Sequence, residues 1–194
     1  MDHYLDIRLL PDADFTAPVL LNALYAKLHR VLSAQQRCDI GVSFPGYSTG
    51  SQQDDKHTPP GLGQTLRLHG SAAALDSLMA SHWASGFADY ALIGNIRPVP
   101  ATTQAIRVQR RQAKSNPARE RARLMRRRNM DAAEAYRRIP DSKARRLSLP
   151  FLTLDSSSTG QRFLLFIDQH AAAQPASGTF NSYGLSSSAT LPSW

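Results

Sequence analysis

The chain has 194 residues, 42% of them hydrophobic, enough for one domain or two small ones to bury a core. A formal charge of +8 favours a polyanionic partner, which leaves nucleic acid or an acidic membrane. No run of about 18 apolar residues is present to span a bilayer. The start Met1-Asp2-His3-Tyr4 lacks the layout of a secretory signal, and the single cysteine, Cys38, excludes an intramolecular disulfide. A cytoplasmic protein is expected, with no membrane association. No Cys/His spacing resembles a zinc site, so neither a metal nor a cofactor is expected.

In chain order, His3 to Leu9 alternates as a half-buried strand does. Pro11 and Pro18 punctuate the approach to a helix from about Ala17 to Gln35, in which Leu20, Leu21, Leu24, Leu28, Val31 and Leu32 make one apolar face. Asp39 to Phe44 reads as a strand stopped by Pro45. The polar stretch Gly46 to Gly63 has no apolar period and reads as an exposed loop. Thr65 to His69 is the next strand, Ser71 to about His82 a helix, and Tyr90 to Ile96 a fourth strand.

This βαββαβ order predicts an α+β fold with a ferredoxin-like N-terminal domain, two helices lying on one face of an antiparallel sheet. The order serves many unrelated functions and decides none of them. Beyond Pro98 and Pro100 the composition changes, placing a boundary near residue 100. Residues 1–100 then form the ferredoxin-like domain, and residues 101–194 a C-terminal region with an arginine-rich helix and short strands.

The positive charge is regional. From Arg107 to Arg146 there are fifteen Lys or Arg against four acidic residues, a balance of +11 that leaves −3 for the rest. Asn116 and Pro117 suit a helix start, and a helix is expected from Pro117 to about Met130. On it Arg119, Arg123, Arg126 and Arg127 share a face, Ala118, Ala122 and Met125 form a narrow apolar edge, and Arg121 and Arg128 point the other way. Six arginines against Glu120 alone repel one another, a cost that a bound anion relieves. Arginine's planar fork suits phosphate or a guanine edge, and Arg110 and Gln112 lie just before the helix.

Several segments resemble one family throughout the chain: Met1-Asp2-His3-Tyr4-Leu5-Asp6-Ile7-Arg8-Leu9, Lys27-Leu28-His29, Ile40-Gly41-Val42-Ser43-Phe44-Pro45, Gln112-Ala113-Lys114-Ser115-Asn116-Pro117, Leu124-Met125-Arg126-Arg127, Ser158-Thr159-Gly160-Gln161 and Tyr183-Gly184-Leu185-Ser186. They resemble the type I-F CRISPR-associated endoribonucleases that cut repeat RNA into guides. The resemblance implies metal-independent cutting at the 3′ base of a repeat hairpin. It also implies that the guide RNA is kept within a surveillance complex containing other subunits.

By the same resemblance, His29 corresponds to the catalytic histidine, Ser156 to a serine that helps place the ribose hydroxyl, and Tyr183 to an active-site tyrosine. Arg110 and Gln112 correspond to a pair reading bases low in the stem, Arg123, Arg126 and Arg127 to groove-binding arginines, and Phe163 to an aromatic that stacks near the cut. Arg119 shares the face of the groove arginines. Three positions depart from the pattern: Ala122 stands in place of an arginine, and Asp155 and Ser157 in place of Arg and Gln.

Read without the resemblance, His29 is a histidine on the edge of an amphipathic helix, Ser156 a turn residue, Tyr183 a half-buried anchor and Phe163 a core residue. RNA carries its own nucleophile in the 2′-hydroxyl, and a histidine with an ordinary pKa near 6.5 is both partly neutral and basic enough to deprotonate it. The products expected are a 2′,3′-cyclic phosphate and a 5′-hydroxyl. Two other readings are a hairpin-binding cap that does not cut and a DNA-binding regulator using the basic helix.

Overall fold

The computed structural model describes residues 1–53, 56–112, 117–140, 147–156 and 160–194. Asn116, expected to start the basic helix, and Ser157 lie outside the described residues. The chain forms two compact units, one from Met1–Arg110 with Leu149–Trp194 and the other Arg111–Ser148.

The first unit begins with β1 (His3–Leu9), whose alternate residues Leu5, Ile7 and Leu9 are buried. Pro18 in the first turn and an apolar stripe that includes Leu20, Leu21, Leu24 and Leu28 then produce α1 (Ala17–Ala34). β2 (Gly41–Ser43) and β5 (Thr65–Gly70) flank a short antiparallel hairpin, β3 (Ser51–Gln53) and β4 (Lys56–Thr58). That hairpin corrects the loop expected over Gly46 to Gly63. Its strands, Ser51-Gln52-Gln53 and Lys56-His57-Thr58, carry no large apolar residue, so the hairpin leaves no apolar period in the sequence.

The Ser71 hydroxyl accepts from the Ala74 amide and caps α2 (Ala72–Met79). Beyond it, turns carry Trp83, Ala84 and Phe87 into the core before β6 (Ala91–Ile93). The sheet order is β2-β5-β1-β6, with β7 (Arg97–Pro98) also pairing with β1. This is the ferredoxin-like order, and α1 and α2 pack on its Leu5, Ile7, Leu66 and Leu68 face.

The opposite face is polar, and its charged residues pair with each other. Asp6 accepts two hydrogen bonds from Arg67, at 2.6 and 2.8 Å, and the Arg67 guanidinium lies 3.9 Å from the Trp194 ring centroid. Beside them His69 is fully buried, with Nε2 2.8 Å from the Ser43 hydroxyl. Burial and the neighbouring Arg67 hold the His69 ring neutral down to about pH 3.

A second antiparallel sheet, in the order β11-β8-β10-β9, comprises β8 (Gln104–Arg111), β9 (Phe151–Asp155), β10 (Arg162–Ala171) and β11 (Leu191–Ser193). Its Ile106, Val108, Leu152, Leu154, Leu165 and Ile167 join the same buried cluster as α1. Asn22 on α1 accepts from the Thr153 amide at 3.0 Å and so ties the helix to the β9 edge.

The second unit contains α3 (Pro117–Arg128) and α4 (Ala132–Arg138). Asp131 caps α4 by accepting from the Glu134 amide at 2.7 Å. Among the described residues no helix is long and apolar enough to cross a membrane.

Candidate active site

The site is built around the turn after Phe180. Asn181 Oδ1 accepts from the Tyr183 and Leu185 amides at 2.9 and 3.1 Å, an arrangement that asparagine favours in turns. Gly184 then adopts φ +69°, a left-handed conformation in which a Cβ would collide with Val42. Its carbonyl accepts from the Val42 amide at 2.9 Å, which docks the turn against β2.

This docked turn meets α1 on two successive helical turns. Tyr25 is completely buried, and its hydroxyl donates to the Tyr183 carbonyl at 2.6 Å. Burial, with the nearby Tyr183, pushes Tyr25 ionisation far above the usual tyrosine range, so it remains a donor. Four residues on, the His29 ring stacks on the Tyr183 ring with centroids 3.9 Å apart and planes 8° from parallel. His29 Nδ1 lies 2.9 Å from the Ser182 carbonyl oxygen. A carbonyl only accepts, so Nδ1 carries a hydrogen, and in the neutral ring the lone pair is on Nε2.

Ser156 sits at the end of β9. Its amide donates to the Gln161 carbonyl and its carbonyl accepts from Gly160, at 2.9 and 2.8 Å. A cleft of about 860 Å³ runs between α1 and this strand end, lined by His29, Ser156, Asp155 and Arg162 among others. Three separated segments of sequence thus place His29 and Ser156 in one cleft, with Tyr183 against the histidine.

Elsewhere on the same unit, Phe163, Leu165 and Ile167 share a side of β10, as their alternation predicts, and Phe163 is only partly buried. The Arg110 guanidinium lies 5.8 Å from the Phe163 ring centroid, bringing those two candidates together. Gln112 is exposed one residue beyond β8. Among the described residues no group of three or more His, Cys, Asp or Glu could hold a metal ion.

On α3, Arg119, Arg123, Arg126 and Arg127 are all exposed. The inner face differs from the expected edge at Ala122, and the Ala118 side chain lies outside those described. Ala122 is exposed, whereas Arg121, Leu124 and Met125 are partly buried. α4 accounts for the difference. Arg121 Nη1 donates to the Ile139 carbonyl at 2.7 Å, and its guanidinium lies 4.8 Å from the Tyr136 ring centroid. An arginine stem can cover apolar surface while its head bonds.

Tyr25, Asn181 and Ser182 are supports that sequence reasoning missed. The available signals were Tyr25 lying four residues before His29 on one helix, and an asparagine two before Tyr183 with a glycine after it.

Fold and site together define a ferredoxin-like α+β protein with a histidine-containing cleft and an arginine-rich helical unit. The family model for CRISPR-associated protein (Cas_Csy4) matches residues 4–194. The chain is 46% identical to the CRISPR-associated endonuclease Cas6/Csy4 of Pseudomonas aeruginosa (strain UCBPP-PA14) and 44% identical to that of Escherichia coli (strain UTI89 / UPEC). Each alignment covers 99% of both chains. A solved RAMP protein described as binding different RNA substrates aligns over 97% of this chain and 99% of its own, at 13% identity and a TM-score of 0.33. The chain belongs to the Cas_Csy4 family, in agreement with its resemblance to the type I-F repeat-processing endoribonucleases.

Proposed function

We propose that the protein binds a CRISPR repeat hairpin and cleaves it at its 3′ base without a metal ion, with His29 as general base. The observation that carries this reading is the His29 geometry. The ring is stacked on Tyr183, its Nδ1 hydrogen is committed to the Ser182 carbonyl, and it lines the cleft that also contains Ser156. Membership of a family whose relatives are named endonucleases supports the same conclusion.

In this mechanism Nε2 accepts the proton of the 2′-hydroxyl next to the cut. The 2′-oxygen attacks phosphorus, the bond to the 5′-oxygen breaks, and that oxygen takes a proton from solvent. The products are a 2′,3′-cyclic phosphate and a 5′-hydroxyl. Ser156 orients the ribose and Tyr183 holds the imidazole plane, which confines the reactants to a productive arrangement.

Binding falls to other residues. Arg119, Arg123, Arg126 and Arg127 contact backbone phosphates, Arg110 and Gln112 read base edges, and Phe163 stacks near the cut. Residues 1–100 supply the base, while residues 101–194 form the RNA-binding region and contribute Ser156 and Tyr183. The product stays bound as the guide RNA of a cytoplasmic type I-F surveillance complex with other subunits.

The test pairs cleavage with affinity. His29→Ala is expected to bind a repeat hairpin within about threefold of wild type and to leave it uncut, while wild type cuts in EDTA. Cutting by His29→Ala at the wild-type rate overturns the assignment. A wild-type protein that binds tightly and never cuts is instead the non-cleaving cap.

A further inference from the structure

The cleft around His29 also contains a charge pair that the reaction above leaves unused. Asp155 ends β9 beside Ser156, and Arg162 opens β10 directly across the ladder from it. Both line the cleft with His29 and Ser156. An aspartate alone would repel a phosphodiester there, and repel more strongly the five-coordinate transition state that gains charge as the 2′-oxygen attacks. Arg162 answers that charge and has donors to spare. Its Nε meets Asp155 Oδ1 at 3.3 Å, whereas a guanidinium has five donor hydrogens.

The side chains of the pair are 74% and 67% exposed, so the contact itself is weak and open to exchange for a phosphate. Arg30, the other arginine of the cleft, donates through Nε to the Ala26 carbonyl one turn back on α1, at 3.2 Å.

Resting on the assignment of His29 as the base, we propose that Arg162 is a further catalytic residue whose guanidinium binds the non-bridging oxygens of the scissile phosphate. Arg162 transfers no proton. The bond made is 2′-oxygen to phosphorus, the bond broken is phosphorus to 5′-oxygen, and the guanidinium answers the charge that builds between them.

The experiment uses full-length protein in excess over a type I-F repeat hairpin that wild type cleaves, with single-turnover rate and hairpin affinity read separately. Arg162→Ala is expected to slow cleavage about 10²-fold, the scale of losing one transition-state donor, with affinity within about threefold. Millimolar guanidinium in the buffer should restore at least a tenth of the lost rate to Arg162→Ala and none to His29→Ala. Rescue of this kind would not follow from a merely structural role.

If Arg162→Ala cleaves at the wild-type rate while His29→Ala is inert, the role given to Arg162 is wrong and that of His29 stands. If both variants cleave normally, the parent reading fails as well. A slowed Arg162→Ala that guanidinium does not rescue, or a loss confined to affinity, also overturns the role for Arg162.

Discussion

The Tyr25 hydroxyl and the His29 ring reach the same turn from one face of α1, so in the proposed mechanism the His29 position depends on a completely buried residue. Tyr25→Phe leaves the Tyr183 carbonyl unpaired in the core. The expected cost is about 1 to 3 kcal/mol of stability in denaturant unfolding, together with a slower single-turnover rate at unchanged hairpin affinity. A variant with wild-type rate would show that the turn holds its place without the hydroxyl. His69 makes a separate prediction. Its ring is held neutral to about pH 3 when folded and takes up a proton near pH 6.5 when unfolded. Its contribution is therefore intact above pH 6.5 and lost as pH falls from there towards 3, at roughly 1 kcal/mol per pH unit. Urea unfolding between pH 7 and 4 should show a shallower loss in His69→Gln than in wild type, and parallel curves would rule this out. His29 and Tyr183 were legible as candidates because they lie in Lys27-Leu28-His29 and Tyr183-Gly184-Leu185-Ser186, and Ser156 because it lies just before Ser158-Thr159-Gly160-Gln161. Their supports were not, since Tyr25 to Tyr183 spans 158 residues and no local pattern reports such a contact.

α3 divides by face, and its arginines should divide with it. Arg123→Ala, Arg126→Ala and Arg127→Ala are each expected to weaken hairpin binding and lower the slope of log affinity against log salt by about one, as loss of a phosphate contact does. Filter-binding titrations at several salt concentrations test this. Arg121→Ala should act differently, because Arg121 joins α3 to the Ile139 carbonyl and the Tyr136 ring. It should raise amide exchange across both helices, and equal protection in the two proteins would contradict that role. Pro117 and the arginine run made α3 readable, including the outward face of Arg119, Arg123, Arg126 and Arg127. The second helix was missed although Asp131 and Glu134 have capping spacing. With Ala135 the only residue in it that is fully buried, α4 has no apolar stripe to announce it. The β3–β4 hairpin escaped notice for the same reason.

For the whole molecule, apolar alternation in β1 and β5 and the stripe on α1 were enough to give the ferredoxin-like order, because each element there buries a regular face. Composition does not reveal that the second sheet joins the same buried cluster as α1. That packing is what sets Ser156 and Arg162 beside His29 in one cleft. In the proposed reaction a base from one end of the chain acts on a nucleophile that belongs to the RNA. The most direct test is cleavage, in EDTA, of a repeat hairpin with a single 2′-deoxy substitution at the cut site, beside the all-RNA hairpin. The all-RNA strand should be cut to a 2′,3′-cyclic phosphate while the substituted strand stays bound and intact. Cutting of the substituted strand at the same rate, or loss of all cutting in EDTA, would contradict the mechanism.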